Sequence, residues 1–398
     1  MKSHVYDPIN KDYKLSKFNQ RETIMKISSN FDSGNINVIE AKAPGNIRLS
    51  INKDNNSDFF QWFHFRLTGA KDQLCALNIE GADGAAYTGG WENYQAVASY
   101  DHKNWFRVST VYKNGTLTIQ HVPETDSVYY AYFAPYSYDR HQELVSSAAQ
   151  HDRVRLEVFG ESCDGRDLDL LTIGEAGETK KKVWIIARQH PGESMAEWLV
   201  EGMLNRLLDN DDALSRDLLN KCVFYVVPNV NPDGSIRGHL RCNAKGQNLN
   251  RDWANPTLEK SPEIYHLRNK MDQLGLDLNL DAHGDEALPY NFIACFEGIA
   301  DLNQYNLDTA YVFARELEKA NPDFQNEVGY PKSAPKTANL GMSTNQIASR
   351  YDAVAMTLEM PFKDTVDSPN PETGWSPERS KKLGVSCLDA LAAVVERL

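Results

Sequence analysis

Nowhere in this chain does an apolar run approach the ~20 residues that a bilayer-spanning helix needs. An excess of positive charge is missing too. The formal net charge is −13, which argues against a nucleic-acid partner and against docking on anionic membranes. Cysteine is sparse and scattered: Cys75, Cys163, Cys222, Cys242, Cys295 and Cys387 form no C-x-x-C pair. Several sit in apolar, strand-like runs, so reduced packing residues are expected rather than a disulfide framework or a zinc knuckle. The start, MKSHVYDPINKDYK, is polar and lacks an apolar signal-peptide core, and with the cysteines it points to the cytoplasm. Internal repeats and low-complexity tracts are also lacking. What remains is the composition of an ordinary globular protein, 41% hydrophobic and 24% charged. At 398 residues it is long enough for about two domains.

The two halves have different rhythms. Up to about Pro135 there are short alternating segments: INVIEA, NIRLSI, FFQWFHFRLTG, WFRVSTVY and TLTIQHV. Turn residues separate them, and Asn114-Gly115 between TVYK and TLTIQ is a tight-hairpin signal. Many short strands without helices between them predict an all-β sandwich over residues 1–136. After Ser137 strands alternate with amphipathic helices. VWIIARQ precedes MAEWLVEGMLNRLLD, in which Met195, Leu199, Met203 and Leu207 recur at helical spacing. CVFYVVPNV reads as a strand buried on both faces. LDLNLDAHG and DAVAMTLEM are further strands, and ERSKKLGVSCLDALAAVVERL is the last helix. Residues 137–398 are therefore expected to form an α/β domain, a sheet flanked by helices. Ser194 and Glu197 have the S-x-x-E spacing of a capping box.

In Val183–Ala196, VWIIARQHPGESMA, a strand leads into a short loop holding His190 and Glu193. H-x-x-E alone is common and more often a polar loop. A distant third donor, His283 in LDAHG, would complete the ligand set of one catalytic zinc, leaving a position for water. Asp281, two residues before His283, faces the same side of its strand and is a candidate to hold the other ring nitrogen. NPDG (231–234) alone is a turn, and NLNRDW (248–253) alone is a polar loop. As a functional unit, Asn250 and Arg251 would bind a carboxylate, and Arg241 would stabilise an oxyanion. Glu359, a charge inside the apolar run TLEM, is costly to bury unless used, which makes it the candidate general base. Asn231, His283, Glu359 and the His190–Glu193 loop all follow or end strands, where sites form in α/β sheets. His266 and His64 read as structural, and His239 is ambiguous.

In this order, HPGE, NPDG, NLNRDW, DAHG and TLE resemble the zinc carboxypeptidases of the carboxypeptidase A type. FDSGN, QWFHFR, WFR and VYYAYFAPYSYDRH resemble the β-sandwich domain that precedes the catalytic domain in cytosolic carboxypeptidases. The resemblance runs from about Ile27 to about Phe362. It implies one zinc per chain on His190, Glu193 and His283, with Arg241 as oxyanion stabiliser. Asn250 and Arg251 hold the substrate's C-terminal carboxylate, and Glu359 is the catalytic base. The expected substrates are C-termini of peptides or proteins, acidic residues such as glutamate among them, with association into homo-oligomers left open. Digestive members carry a tyrosine about two dozen residues before the base. Counting back from Glu359 reaches PKTAN, which has none, so the role is unassigned; Tyr330 lies further upstream. Lys332 and Lys336 could meet an acidic side chain, although solvated loop charges are the plainer reading. The segment GMSTNQ (341–346) is expected to line the specificity pocket. Two other readings compete: a zinc amidohydrolase of the aspartoacylase or succinylglutamate desuccinylase kind, acting on small N-acyl amino acids, and a binding module without turnover.

Overall fold

The computed structural model describes residues 24–398, so the polar start read above lies outside the described residues. The first half folds as two five-stranded sheets. One is ordered Lys26–Ser28, His64–Thr68, Ser127–Ala131, Val97–Ser99, Phe106–Arg107, antiparallel throughout. The other is ordered Asn37–Glu40, Ile47–Ser50, Cys75–Glu80, Thr116–His121, Thr110–Lys113, with one parallel pair between Ile47–Ser50 and Cys75–Glu80. Alternation buries Leu77, Ile79, Leu117 and Ile119 on one sheet and Phe65, Leu67, Val128 and Tyr130 on the other. The Asn114-Gly115 hairpin forms, with both residues at positive φ (51° and 76°), as its turn type requires. Of FFQWFHFRLTG only His64–Thr68 is a strand; the aromatic run before it is a loop, with Trp62 and Phe63 buried.

The second half is a seven-stranded mixed sheet. Its order is Val154–Glu161, Asp167–Ile173, Cys222–Val227, Lys181–Ala187, Leu278–Asp285, Val354–Pro361, Phe292–Ala294. The four central strands run parallel and the flanking pairs antiparallel. Every residue of Cys222–Val227 is buried, which is why that strand reads as an unbroken apolar run. Helices Met195–Leu207 and Pro377–Val394 lie against each other beside the sheet. Strand order decides where a site can form. From Lys181–Ala187 the chain moves to Cys222–Val227 on one side, then crosses to Leu278–Asp285 on the other. The connections diverge beyond the carboxyl ends of these strands and leave a crevice there.

The expected capping box does not form. Ser194 is itself helical (φ −63°, ψ −20°), and its hydroxyl donates to the Ala134 carbonyl at 2.9 Å. Glu197 is drawn inward to Arg188 (2.9 Å) and His141 (2.6 Å). Two buried bases left without a counter-charge would cost more than one helix amide lacking a side-chain acceptor.

Candidate active site

The crevice holds His190, Glu193 and His283. Gly192 pins the loop that carries the first two. Its N–H donates to the Leu240 carbonyl at 2.9 Å, and a Cβ there would sit 2.9 Å from that oxygen. His190 Nδ1 lies 2.8 Å from one Glu193 oxygen, His283 Nδ1 2.7 Å from the other, and the two Nδ1 atoms are 3.2 Å apart. One donor atom from each residue thus falls within 4.8 Å of the others, all three side chains buried. Oxygen atoms lie near the far ring nitrogens. His190 Nε2 lies 3.1 Å from Asn248 Oδ1, and His283 Nε2 lies 3.1 Å from Asp281 Oδ1. A neutral ring with its Nε2–H toward such an oxygen would offer the Nδ1 lone pair to the shared point. Burial and the Arg241 charge lower His190 to about 4, keeping it neutral. At His283 burial opposes protonation, but Asp281 and Glu193 outweigh it and raise the group. At Glu193 burial is likewise outweighed, by His190 and His283, and the carboxyl is held low. Two imidazoles and a carboxylate around a point that demands positive charge fit a zinc ion.

Glu359 is the in-register neighbour of His283 on the adjacent strand. It is buried, and its Oε2 has no hydrogen-bond partner among the described residues. Burial pushes its carboxyl up to about 8 against the pull of His283, with Glu193 adding to the rise. The Tyr330 hydroxyl donates to Asp285 Oδ2 at 2.6 Å and lies 3.3 Å from Glu359 Oε1. Tyr330, left without a role by the sequence, thus reaches Glu359 from 29 positions upstream. Counting back a fixed number of residues assumes a loop of fixed length.

Arg241 is nine-tenths buried, its guanidinium 5.7 Å from the Phe59 ring centre and 5.3 Å from that of Tyr87. Asn250 is buried; its Oδ1 accepts from the Ser343 N–H at 2.8 Å, which leaves its amide nitrogen as the donor. Arg251 is more than a third exposed, and among the described residues its guanidinium donates to the neighbouring Asn250 carbonyl at 2.6 Å. The partial burial of that group and the nearby Arg241 charge lower it, so the pair gains from an arriving anion. Glu286, which the sequence did not single out, is buried beside Arg241 and Glu193; burial, then Glu193, raises its carboxyl.

Other residues take structural places. Asn231 caps the short helix Pro232–Arg237 through Gly234 N–H and donates to the Gln189 carbonyl at 3.0 Å. His239 bridges the Cys242 carbonyl and Asn55, and His64 lies 3.0 Å from the Ser33 hydroxyl. His266 lies on helix Pro262–Leu274. Lys332 donates to the Tyr311 hydroxyl at 2.9 Å, and Lys336 is exposed. In GMSTNQ, Ser343 meets Asn250 and Asp281, and the Thr344 hydroxyl lies 2.6 Å from that of Thr357 on the strand that carries Glu359.

The chain matches the family model for the cytosolic carboxypeptidase N-terminal domain over residues 27–133 and the one for zinc carboxypeptidase over residues 141–279. It is similar to the crystal structure of a putative carboxypeptidase A from Shewanella denitrificans, at 50% identity and a TM-score of 0.92, over 93% of this chain and 99% of that one. A metallo-carboxypeptidase from Pseudomonas aeruginosa in complex with (2-guanidinoethylmercapto)succinic acid is 45% identical, with a TM-score of 0.91, over 94% of this chain and 99% of that one. Human cytosolic carboxypeptidase 1 is 28% identical over 68% of this chain, which spans 25% of that longer relative.

Proposed function

Because this chain belongs to the zinc carboxypeptidase family and carries the N-terminal domain of its cytosolic branch, we propose that it removes single residues from free C-termini of peptides or proteins, using one zinc ion held by His190, Glu193 and His283. One observation carries the reading: the three donor atoms meet, and Glu359, the strand neighbour of His283, has an Oε2 with no hydrogen-bond partner among the described residues. Zinc bound there supplies Lewis acidity and a water of pKa roughly 7. Glu359 accepts the proton of the attacking water and returns it to the leaving amine. Arg241 donates to the oxygen that becomes negative. Asn250 and Arg251 grip the substrate's carboxylate, so an internal peptide bond, which has none, is not a substrate. Tyr330, with its hydroxyl 3.3 Å from Glu359 Oε1, is our candidate for the group that caps the substrate. The amidohydrolase reading is not favoured, because residues 27–133 match a domain of the cytosolic carboxypeptidases. We place the domain junction between residues 136 and 137, where Ser137 caps helix Tyr138–Ala148 by accepting from Arg140 N–H. We also propose a cytoplasmic setting, on the name of the cytosolic carboxypeptidases it is similar to.

The test uses peptides with free or amidated C-termini and a chelator control. Single-residue loss from free ends only, abolished by the chelator, is expected. Arg251→Ala with its zinc intact should lose at least tenfold in kcat/KM on free ends, as befits a charge-assisted bidentate contact worth ~1.5–3 kcal/mol. Equal cleavage by parent and variant would remove Arg251 from the role. Peptides ending in glutamate, lysine and leucine read the side-chain preference. We propose acidic ends among the substrates, as the resemblance of residues 27–133 to the cytosolic carboxypeptidases implies.

A further inference from the structure

We propose that the N-terminal domain positions Arg241 for catalysis, through Asp54 on its backbone and Phe59 and Tyr87 on its guanidinium; this rests on the reading of Arg241 as the oxyanion-stabilising group. Arg241 lies outside any helix or strand, in an irregular stretch after helix Pro232–Arg237. Its own half holds the neighbours, through Gly192 N–H on the Leu240 carbonyl at 2.9 Å and the Cys242–Asn248 bridge, and the N-terminal half holds the backbone N–H of Arg241 itself. The buried Asp54 carboxylate accepts three successive backbone N–H groups, from Leu240 at 2.7 Å, Arg241 at 2.8 Å and Cys242 at 2.9 Å. Asn35 donates to the Gly238 carbonyl at 2.8 Å, and Asn55 Oδ1 lies 3.0 Å from His239 Nε2, so the whole stretch from 238 to 242 is laced to the N-terminal domain. A carboxylate with three charge-assisted bonds to consecutive amides sets both position and direction of that backbone. Phe59 and Tyr87 then attract the cation by their ring faces. Rings take up none of its N–H groups, whereas a paired carboxylate would. The donors stay aimed at the place where negative charge develops, and preorganised donors are what speed such a step. Asp54, Phe59 and Tyr87 act through Arg241 and are positioning residues.

The test is a double-mutant cycle in the full-length, zinc-loaded enzyme, with kcat and KM measured on one free-ended peptide. Tyr87→Leu should lower kcat roughly three- to tenfold, the size of a partly desolvated cation–π contact, and leave KM nearly unchanged. Tyr87→Phe keeps the ring and should retain the parent kcat. In an Arg241→Ala background Tyr87→Leu should cost nothing further, because the group it positions is gone. Asp54→Asn should behave alike where its thermal midpoint shows a folded protein, and Phe59→Leu carries the same test otherwise. Parent kcat in Tyr87→Leu, or an equal loss in both backgrounds, overturns the inference while leaving Arg241 in its role. Parent kcat in Arg241→Ala alone would overturn the role of Arg241 and this inference with it.

Discussion

Glu359 shows what one residue contributes and what it costs. A carboxyl buried in a central strand is destabilising unless something uses it. Here one oxygen has no partner among the described residues, and burial has moved the group to about 8, far from the range of a solvated glutamate. A group so placed becomes a proton acceptor once a cation bound beside it favours its charged form. Glu359→Gln keeps the shape and removes that capacity. Its kcat should fall by ~10²- to 10⁴-fold, with zinc content and thermal midpoint unchanged. Metal analysis together with steady-state rates checks this, and a variant retaining parent rates would place the base elsewhere.

Two contacts between elements hold the scaffold behind the site. Helices Met195–Leu207 and Pro377–Val394 approach so closely that a Cβ on Gly202 would lie 2.1 Å from the Lys381 carbonyl, and one on Gly384 2.1 Å from that of Leu199. Backbone cannot yield as a flexible side chain can. Gly202→Ala is therefore expected to cost ~1–3 kcal/mol despite the higher helix propensity of alanine, seen as a lowered denaturation midpoint. The second contact is His141 on helix Tyr138–Ala148, set between Glu197 at 2.6 Å and Asp169 at 3.3 Å. Burial works against its charge, yet Glu197 and Asp169 raise it to about 9. The folded protein thus binds that proton more tightly than the unfolded chain, whose imidazole titrates near 6.5. Its stabilisation is complete below ~6.5 and disappears as pH rises through about 9. Thermal melts from pH 6 to pH 10 should show a decline that His141→Gln largely lacks; parallel curves would sink the assignment.

At the scale of the molecule, the two halves are joined by polar contacts aimed at backbone. Arg107, from the edge of an N-terminal sheet, donates to the Gln95 carbonyl at 2.6 Å within its own half. Across the junction it donates to those of Phe362 (2.9 Å), Trp375 (3.0 Å) and Thr373 (3.1 Å). Phe362 also stacks on Tyr132 at 4.5 Å, just beyond the strand that ends in the active site. Removing the guanidinium leaves several carbonyls short of donors, at ~1–3 kcal/mol for each that water cannot reach. Arg107→Met should therefore lower the midpoint for both halves together, as one transition by fluorescence and circular dichroism. Two separated transitions would mean that the halves are not energetically coupled.

The sequence by itself determined the class of each half, the catalytic candidates and the family. Period-2 and period-3.6 patterns are local, and so are the turn at Asn114-Gly115 and the short motifs around His190, Arg251 and His283. Each is written in a few adjacent residues, and strand ends with polar residues already point to one edge of the sheet. Tertiary structure alone decided what depends on distant chain meeting in space. It drew Glu197 away from the helix terminus into a buried charge network. It carried Tyr330 to Glu359 on a loop whose length no spacing rule anticipates. It brought Asp54, Phe59 and Tyr87 of one half onto Arg241 of the other, more than 150 positions apart in the chain. None of these has a local signal, because a single acid or aromatic in a loop looks the same whether it faces water or a guanidinium.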